Sequence, residues 1–317
     1  MSFSSKTKNE VARISVEDSC CKLAELAAIV RMSGTIQVQD MGEFNLKLTT
    51  ENAAIARRIF TLLRERYEGN IEVIAKRNKQ LKKNNNYLIS INSLDISKDI
   101  LEDVGFIDKE NYNIFKPNYK TPKRLLKDRC CKRAYIRGAF LGGASISDPE
   151  KTYHLEFVTN NKEHSEDLSN IVNSFNLNSK IVKRKENYVV YLKEGEQIVD
   201  LLNIIGAYQA LLKVEDIRVL KDMRNNINRI VNCETANLDK TINASMRQIE
   251  YIKFIENNMG LDKLPQNLKD LAEIRLNNKD ATLKEIGTML DPQVGKSGVN
   301  HRFRKIEKIA KDLKGVE

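Results

Sequence analysis

ELAAIVRMSGTI at residues 25–36 and YIRGAFLGGASI at residues 135–146 decide how this chain folds. An adjacent cysteine pair precedes each stretch at the same offset: Cys20-Cys21-Lys22-Leu23-Ala24 is echoed by Cys130-Cys131-Lys132-Arg133-Ala134. The echo continues downstream, where NLKLTTENA (45–53) lines up with HLEFVTNNK (154–162). Asn86-Tyr87-Leu88-Ile89 then lines up with Asn187-Tyr188-Val189-Val190. Similarity in fixed order over several segments marks an internal duplication.

Both copies read alike. A helix ends at the small-residue cluster, and strands follow at 35–39 and 44–48 in the first copy, 145–147 and 154–159 in the second. Helices are expected at 52–67 and 161–175. Two more strands come next, at 71–77 and 87–92, then 180–184 and 188–193. Short helices near 98–104 and 197–202 close the copies. The fold class expected is α+β: a duplicated αββαββα pseudo-dimer followed by an all-α helix-turn-helix domain. Ala24 and Ala28 in one leading helix, and Ala134, Gly138 and Gly142 in the other, put small residues every fourth position, so two backbones can approach closely in a dry interface. No GxGxxG phosphate cradle follows a strand.

The end of the chain, ATLKEIGTMLDPQVGKSGVNHRFRKIEKIAKDL at 281–313, has a different logic. Thr282 and Glu285 form a capping-box pattern, and Leu283, Ile286 and Leu290 fall on one helical face. Asp291, Pro292 and Gly295 interrupt the chain, and Ser297 is placed to cap a second helix. Val299, Phe303, Ile306, Ala310 and Leu313 would bury that helix. Its other face carries Lys296, Ser297, Asn300, His301, Arg302, Arg304, Lys305 and Lys308, which are the DNA-binding candidates. Arg and Lys donate to guanine edges and phosphates, and Asn pairs with adenine. Val294, Gly295, Lys296, Ser297, Gly298 and Val299 resemble the V-S-x-S-x-V turn of bacterial regulators, with Pro292 and Gln293 as extra turn residues. Upstream, 224–240 reads as the end of one helix and a capped restart at Asn237 or Asp239. Ile242, Met246, Ile249, Ile252 and Ile255 are its expected buried stripe. Pro265 opens the next helix.

Composition narrows the partners. The chain has 317 residues and a formal net charge of +10, which favours a polyanion. No run approaches the ~18 apolar residues of a membrane span. The N-terminus has no apolar segment of the secretory kind, so a cytoplasmic, nucleoid-associated location is expected. Five cysteines point to reduced thiols, and neither adjacent pair has the C-x-x-C spacing of a zinc or redox site. His154, His164 and His301 are scattered. No metal and no cofactor are expected.

YIRGAFLGGASI resembles the LAGLIDADG motif of homing endonucleases, often written YLAGFFDGDGSI. In those nucleases the second acid of the motif holds a catalytic metal, and each half supplies one. Here that position is Ser33 in the first half and Gly143 in the second, and the first acid is replaced by Arg31 and Leu141. The resemblance therefore implies no catalytic residues. Asp148 and Glu156 are the nearest acids downstream. Homing endonucleases lay both sheets on DNA. Lys76, Arg77, Lys79, Lys82 and Lys83 on one hairpin, and Lys183, Arg184 and Lys185 on its counterpart, are therefore secondary candidates. Solvated loops or a protein-binding face explain these clusters equally well.

NRIVNCETANLDK (228–240), SGVNHRFRKI (297–306) and GAFLGGASISDPEKTYHLEF (138–157) are similar to the WhiA family of DNA-binding regulators. That resemblance implies a degenerate LAGLIDADG-like domain at 1–205 (halves 17–110 and 127–205), a helical linker at 206–234, and a helix-turn-helix domain at 235–317 with its motif at 281–314. It implies a non-enzymatic, sequence-specific regulator of sporulation, cell division or chromosome segregation genes. Its partners would be double-stranded DNA and other regulatory proteins, with no membrane. An active or residual metal-dependent endonuclease, or a protein-binding adaptor anchored on DNA, are the alternatives.

Overall fold

The computed structural model describes residues 1–38, 44–77, 85–108 and 117–315. Contacts divide the chain into two compact units, Met1–Lys221 and Asp222–Glu317.

In the first unit the duplication is visible element by element. The first copy runs α2 (Ser19–Ser33), β1 (Gly34–Val38), β2 (Phe44–Thr50), α3 (Ala53–Arg64), β3 (Ile71–Arg77), β4 (Asn85–Ile91) and α4 (Leu94–Asp103). The second runs α5 (Arg129–Gly143), β5 (Ala144–Ile146), β6 (Leu155–Thr159), α6 (Lys162–Asn173), β7 (Lys180–Arg184), β8 (Asn187–Leu192) and α7 (Gly195–Ile205). The antiparallel sheets have the same order, β1-β2-β4-β3 and β5-β6-β8-β7. A preceding helix, α1 (Phe3–Val11), has no counterpart in the sequence reading. It is capped by Ser2 and buries Phe3, Thr7 and Val11.

The same local chemistry starts the fourth element of each copy, α3 and α6. Asn52 Oδ1 accepts the backbone N–H of Ala54 at 2.8 Å, and Asn161 Oδ1 accepts that of His164 at 3.0 Å. The hydroxyl oxygens of Thr50 and Thr159 accept the N–H of these asparagines at 3.2 and 3.3 Å. The T-x-N of each copy thus ends a strand and caps a helix in one step.

The leading helices pack side by side in the same direction. A Cβ on Gly138 would lie 2.2 Å from the Glu25 carbonyl oxygen, and one on Gly142 would lie 2.7 Å from Met32 Cβ. Ala24, Ala28 and Ala134 are at most 1% exposed, so the small-residue stripe does let the backbones meet. Buried charge crosses this interface. Glu25 on α2 accepts from Arg58 Nε and Nη2 at 2.7 and 2.9 Å, and Arg137 on α5 lies 3.6 Å away.

One long helix, α8 (Tyr208–Asn258), spans the expected linker. The restart at Asn237 or Asp239 does not occur. No Gly or Pro lies between Gly206 and Gly260, so nothing forces the backbone out of helix. Ile242 and Met246 are exposed, and only Ile252 and Ile255 of the expected stripe are fully buried. Within the second unit these two pack with α9 (Gln266–Asn277), α10 (Leu283–Met289) and α11 (Lys296–Lys314).

Candidate nucleic-acid interface

The α10–α11 pair is built as a helix-turn-helix. Thr282 Oγ1 accepts the N–H of Glu285 at 3.3 Å, and Glu285 Oε2 accepts the N–H of Thr282 at 2.7 Å, which completes the capping box. Those Thr282 hydrogen bonds hold the Glu285 carboxyl below its ordinary pKa. The turn is closed by Val294, whose N–H donates to Gly287 O at 2.9 Å. Gly287 has to be glycine here, since a Cβ would stand 2.1 Å from Val294 O. The second helix begins at Lys296 with Gly295 as its N-cap and no side-chain cap. Ser297 therefore sits inside the first turn, exposed, instead of capping it. The helix begins earlier than expected because Gly295 already provides the extended cap conformation.

α11 divides cleanly by face. Val299, Phe303, Ile306 and Ala310 are buried, whereas Leu313, expected in the same stripe, lies in the last turn and is exposed. Lys296, Ser297, Asn300, His301, Arg304, Lys305 and Lys308 are exposed. Among the described residues none of these side chains makes an ion pair or hydrogen bond. Arg302 differs: it is half-buried, and its Nη1 points to Asn267 O at 3.5 Å. Asn300, Arg304 and Lys308 follow one another at four-residue spacing, which aligns an amide and two cations along one line of the helix.

Arg275 fixes this helix, and the sequence reading missed it. It is 2% exposed. Its Nη1 donates to the carbonyls of Asn278, Lys279 and Ala281 at 3.3, 3.3 and 2.7 Å. The Ser245 hydroxyl of α8 also donates to Lys279 O. An arginine at the end of an amphipathic helix reads as solvated from sequence alone, so no signal pointed to it.

In the first unit, the positions that hold acids in the nucleases take other roles. The Ser33 hydroxyl donates back to Ile29 O at 2.9 Å. Gly143 has no room for a longer side chain without displacement, since a Cβ would lie 2.4 Å from Met32 Cε and 3.1 Å from Val158 O. Arg31 is buried and donates to five carbonyls, those of Ala27, Val104, Gly105, Tyr119 and Lys120, at 3.0–3.3 Å. It thus ties α2 to the connector between the copies. Glu156 is occupied by His154 at 3.0 Å, Ser145 at 3.3 Å and Arg184 at 3.4 Å, and Asp148 accepts from Glu150 N at 3.1 Å. Among the described residues, these carboxylates form no shared ligand group.

The basic clusters on the sheets are less concentrated than the sequence suggests. Strand alternation puts Lys47 and Lys76 on the outward face of the first sheet with Glu72, and Lys180 and Arg184 on that of the second with Glu156. Lys183 falls one residue out of phase, on the helix-covered face, and the side chain of Arg77 lies outside the described residues. Lys183 Nζ lies 6.0 Å from the Tyr188 ring centroid. Lys79, Lys82 and Lys83 lie outside the described residues, and Lys185 is exposed in the β7–β8 turn with a φ of 55°.

A duplicated LAGLIDADG-like pseudo-dimer followed by a helix-turn-helix unit is thus the class of protein that this fold defines. Comparison with known proteins specifies it further. Family models match in the same order: the WhiA N-terminal LAGLIDADG-like domain at 19–107, the WhiA LAGLIDADG-like domain at 132–224 and the WhiA C-terminal HTH domain at 227–310. Curated relatives include the "Probable cell division protein WhiA" of Alkaliphilus metalliredigens (strain QYMF), 58% identical over 99% of both chains. That of Alkaliphilus oremlandii (strain OhILAs) is 59% identical over 99% of this chain and 98% of its own. The crystal structure of full-length WhiA from Thermatoga maritima superposes with a TM-score of 0.59 at 25% identity, covering 98% of this chain and 99% of that one. The chain belongs to the WhiA family. No helix among the described residues is long and apolar enough to cross a membrane.

Proposed function

We propose that this protein is a non-enzymatic, sequence-specific regulator that binds double-stranded DNA through α11. It would act on the nucleoid in the cytoplasm, on genes of cell division, sporulation or chromosome segregation. The observation that carries this reading is the outward face of α11, where Asn300, His301, Arg304, Lys305 and Lys308 stand exposed and unpaired opposite a fully buried apolar face. Side chains free of internal partners are available to base edges and phosphates. The relatives named for cell division supply the biological setting.

The fragment 235–317 is proposed to be sufficient for DNA binding, since it contains every buried residue of the second unit. The absence of acids at Ser33 and Gly143 supports the non-enzymatic part of the proposal. Footprinting the purified protein across its own genome tests the whole. Discrete protected sites that persist as salt is raised are expected, and uniform occupancy that fades everywhere together would contradict sequence-specific regulation.

A further inference from the structure

The two cysteine pairs, 110 residues apart in sequence, meet at the head of the α2–α5 interface. Cys20 and Cys21 lie in the first turn of α2, and Cys130 and Cys131 lie at the equivalent place in α5. Cys21 Sγ is 3.9 Å from Cys131 Sγ. The sulfurs of Cys20, Cys21 and Cys131 all lie within 4.8 Å of one another. The sulfurs of Cys21 and Cys130, with a carboxylate oxygen of Asp18, also lie within 4.8 Å of one another. These are the places among the described residues where three potential metal ligands converge.

We propose that Cys20, Cys21, Cys130 and Cys131 form a tetrathiolate site for one zinc-class divalent ion, which ties the two halves of the duplicated unit together. A tetrahedral ion with metal–sulfur bonds of about 2.3 Å holds its sulfurs about 3.8 Å apart. The Cys21–Cys131 separation already matches that spacing. Four soft sulfur ligands select zinc over magnesium or calcium. Cys21 and Cys131 are buried while Cys20 and Cys130 are exposed, so the site has a dry inner half and an open entry. Asp18, the N-cap residue of α2, accepts from the protonated Cys21 thiol at 3.9 Å, a contact that is given up when the thiol ionises to bind the ion.

On binding, four thiols lose four protons to solvent while the ion gains four thiolate ligands, with no change of oxidation state. Without the ion, burial pushes the Cys131 thiol up to about 12 and the Cys21 thiol up as well. The ion therefore competes with protons, and affinity should rise with pH. The pair spacing in sequence pointed away from zinc because a C-x-x-C motif supplies both ligands from one turn. Here the fold supplies two from each half.

The test uses full-length protein, reduced and freed of metal, then titrated with cobalt(II) and zinc(II). One cobalt per chain is expected, with an intense near-ultraviolet thiolate-to-metal band and the strong visible absorption of a tetrahedral site. One equivalent of zinc should bleach both and shield four thiols from a thiol reagent. Cys20→Ser with Cys130→Ser changes only exposed positions, so folding should persist by circular dichroism. Affinity should drop by more than the ~10–100-fold that losing a supporting group costs. Cys233→Ser should bind as the unmodified protein does. Cobalt spectra lacking the thiolate band, five thiols still reactive at one equivalent of zinc, or an isolated Cys21–Cys131 disulfide in place of metal would each overturn the proposal.

Discussion

The guanidinium of Arg275 lies 5.4 Å from the ring centroid of Phe303, so the residue that gathers the carbonyls of the α9–α10 turn also rests on the buried face of α11. One side chain thereby sets where the exposed face of α11 stands relative to the turn before it.

Replacing Arg275 should loosen both. Arg275→Met keeps the apolar stem but leaves the Ala281 carbonyl without its Arg275 donor and takes one donor each from the carbonyls of Asn278 and Lys279. The second unit should lose about 1–3 kcal/mol, the cost of an unsatisfied buried acceptor. Arg275→Lys should recover little, because an ammonium lacks the planar fork. Thermal unfolding of the full chain reads this as a lower-melting transition. An unchanged melting profile in both variants would show that Arg275 merely fills space.

Phe303→Ala and Gly287→Ala should lose DNA binding through unfolding. The first removes a buried ring, at about 3–5 kcal/mol. The second forces a Cβ towards Val294 O, at about 1–3 kcal/mol. Binding at low temperature, where each variant refolds, should recover in step with its helical signal. A folded Phe303→Ala protein that still failed to bind would mean the ring contacts DNA itself.

His164 makes stability depend on pH. Its ring sits between Tyr135 Oη at 3.0 Å and Thr159 Oγ1 at 3.2 Å. Burial, and then the charge of Arg31, lower its pKa from 6.5 to about 3. Because the folded pKa is depressed, the unfolded chain takes up the proton first as pH falls. Stability is therefore complete above about 6.5 and declines below it by up to about 1.4 kcal/mol per unit. Urea unfolding between about pH 7 and pH 5, above the main carboxylate range, should show that decline. His164→Gln should flatten it. An equal slope in the variant would place the acid sensitivity elsewhere.

With magnesium or manganese the protein should neither cut nor nick DNA. Ser33→Asp combined with Gly143→Asp should not create a nuclease, because a metal site also needs groups that orient its ligands and the Gly143 position is crowded by Met32 and Val158 O. Divalent-ion-dependent nicking that copurifies with the unmodified protein and disappears on substitution of Glu156 would reverse the non-enzymatic reading.

Most of the fold was legible because duplication supplies its own control. Strands β3 and β7 fall at the expected 71–77 and 180–184, and the helices expected from 52 and 161 begin at the Asn52 and Asn161 caps. The Thr282–Glu285 box and the stripe of α11 from Val299 to Ala310 were equally plain, since both are local patterns, but Leu313, expected in that stripe, is exposed. What was not legible depends on distant neighbours. Polar residues near Asn237 suggested a helix break, but only Gly or Pro would have enforced one, and α8 runs on. Arg31, Arg275 and Glu25 are charged residues that burial turned into internal clamps, and a sequence shows charge without showing burial. The cysteine pairs were judged by spacing along the chain, which says nothing of their meeting across the pseudo-dimer. On the sheets, adjacent cations such as Lys183 and Arg184 look like one cluster in sequence yet point to opposite faces.

The central claim is that α11 reads bases near its start and holds phosphates farther along. It is tested most directly by measuring Asn300→Ala and Lys308→Ala against one specific and one random duplex over a range of salt. Asn300→Ala should cost about 1–3 kcal/mol on the specific duplex and almost nothing on the random one. Lys308→Ala should weaken both alike and reduce the salt slope by about one. Equal weakening of both duplexes by both variants would contradict the account and make α11 an electrostatic anchor that does not read sequence.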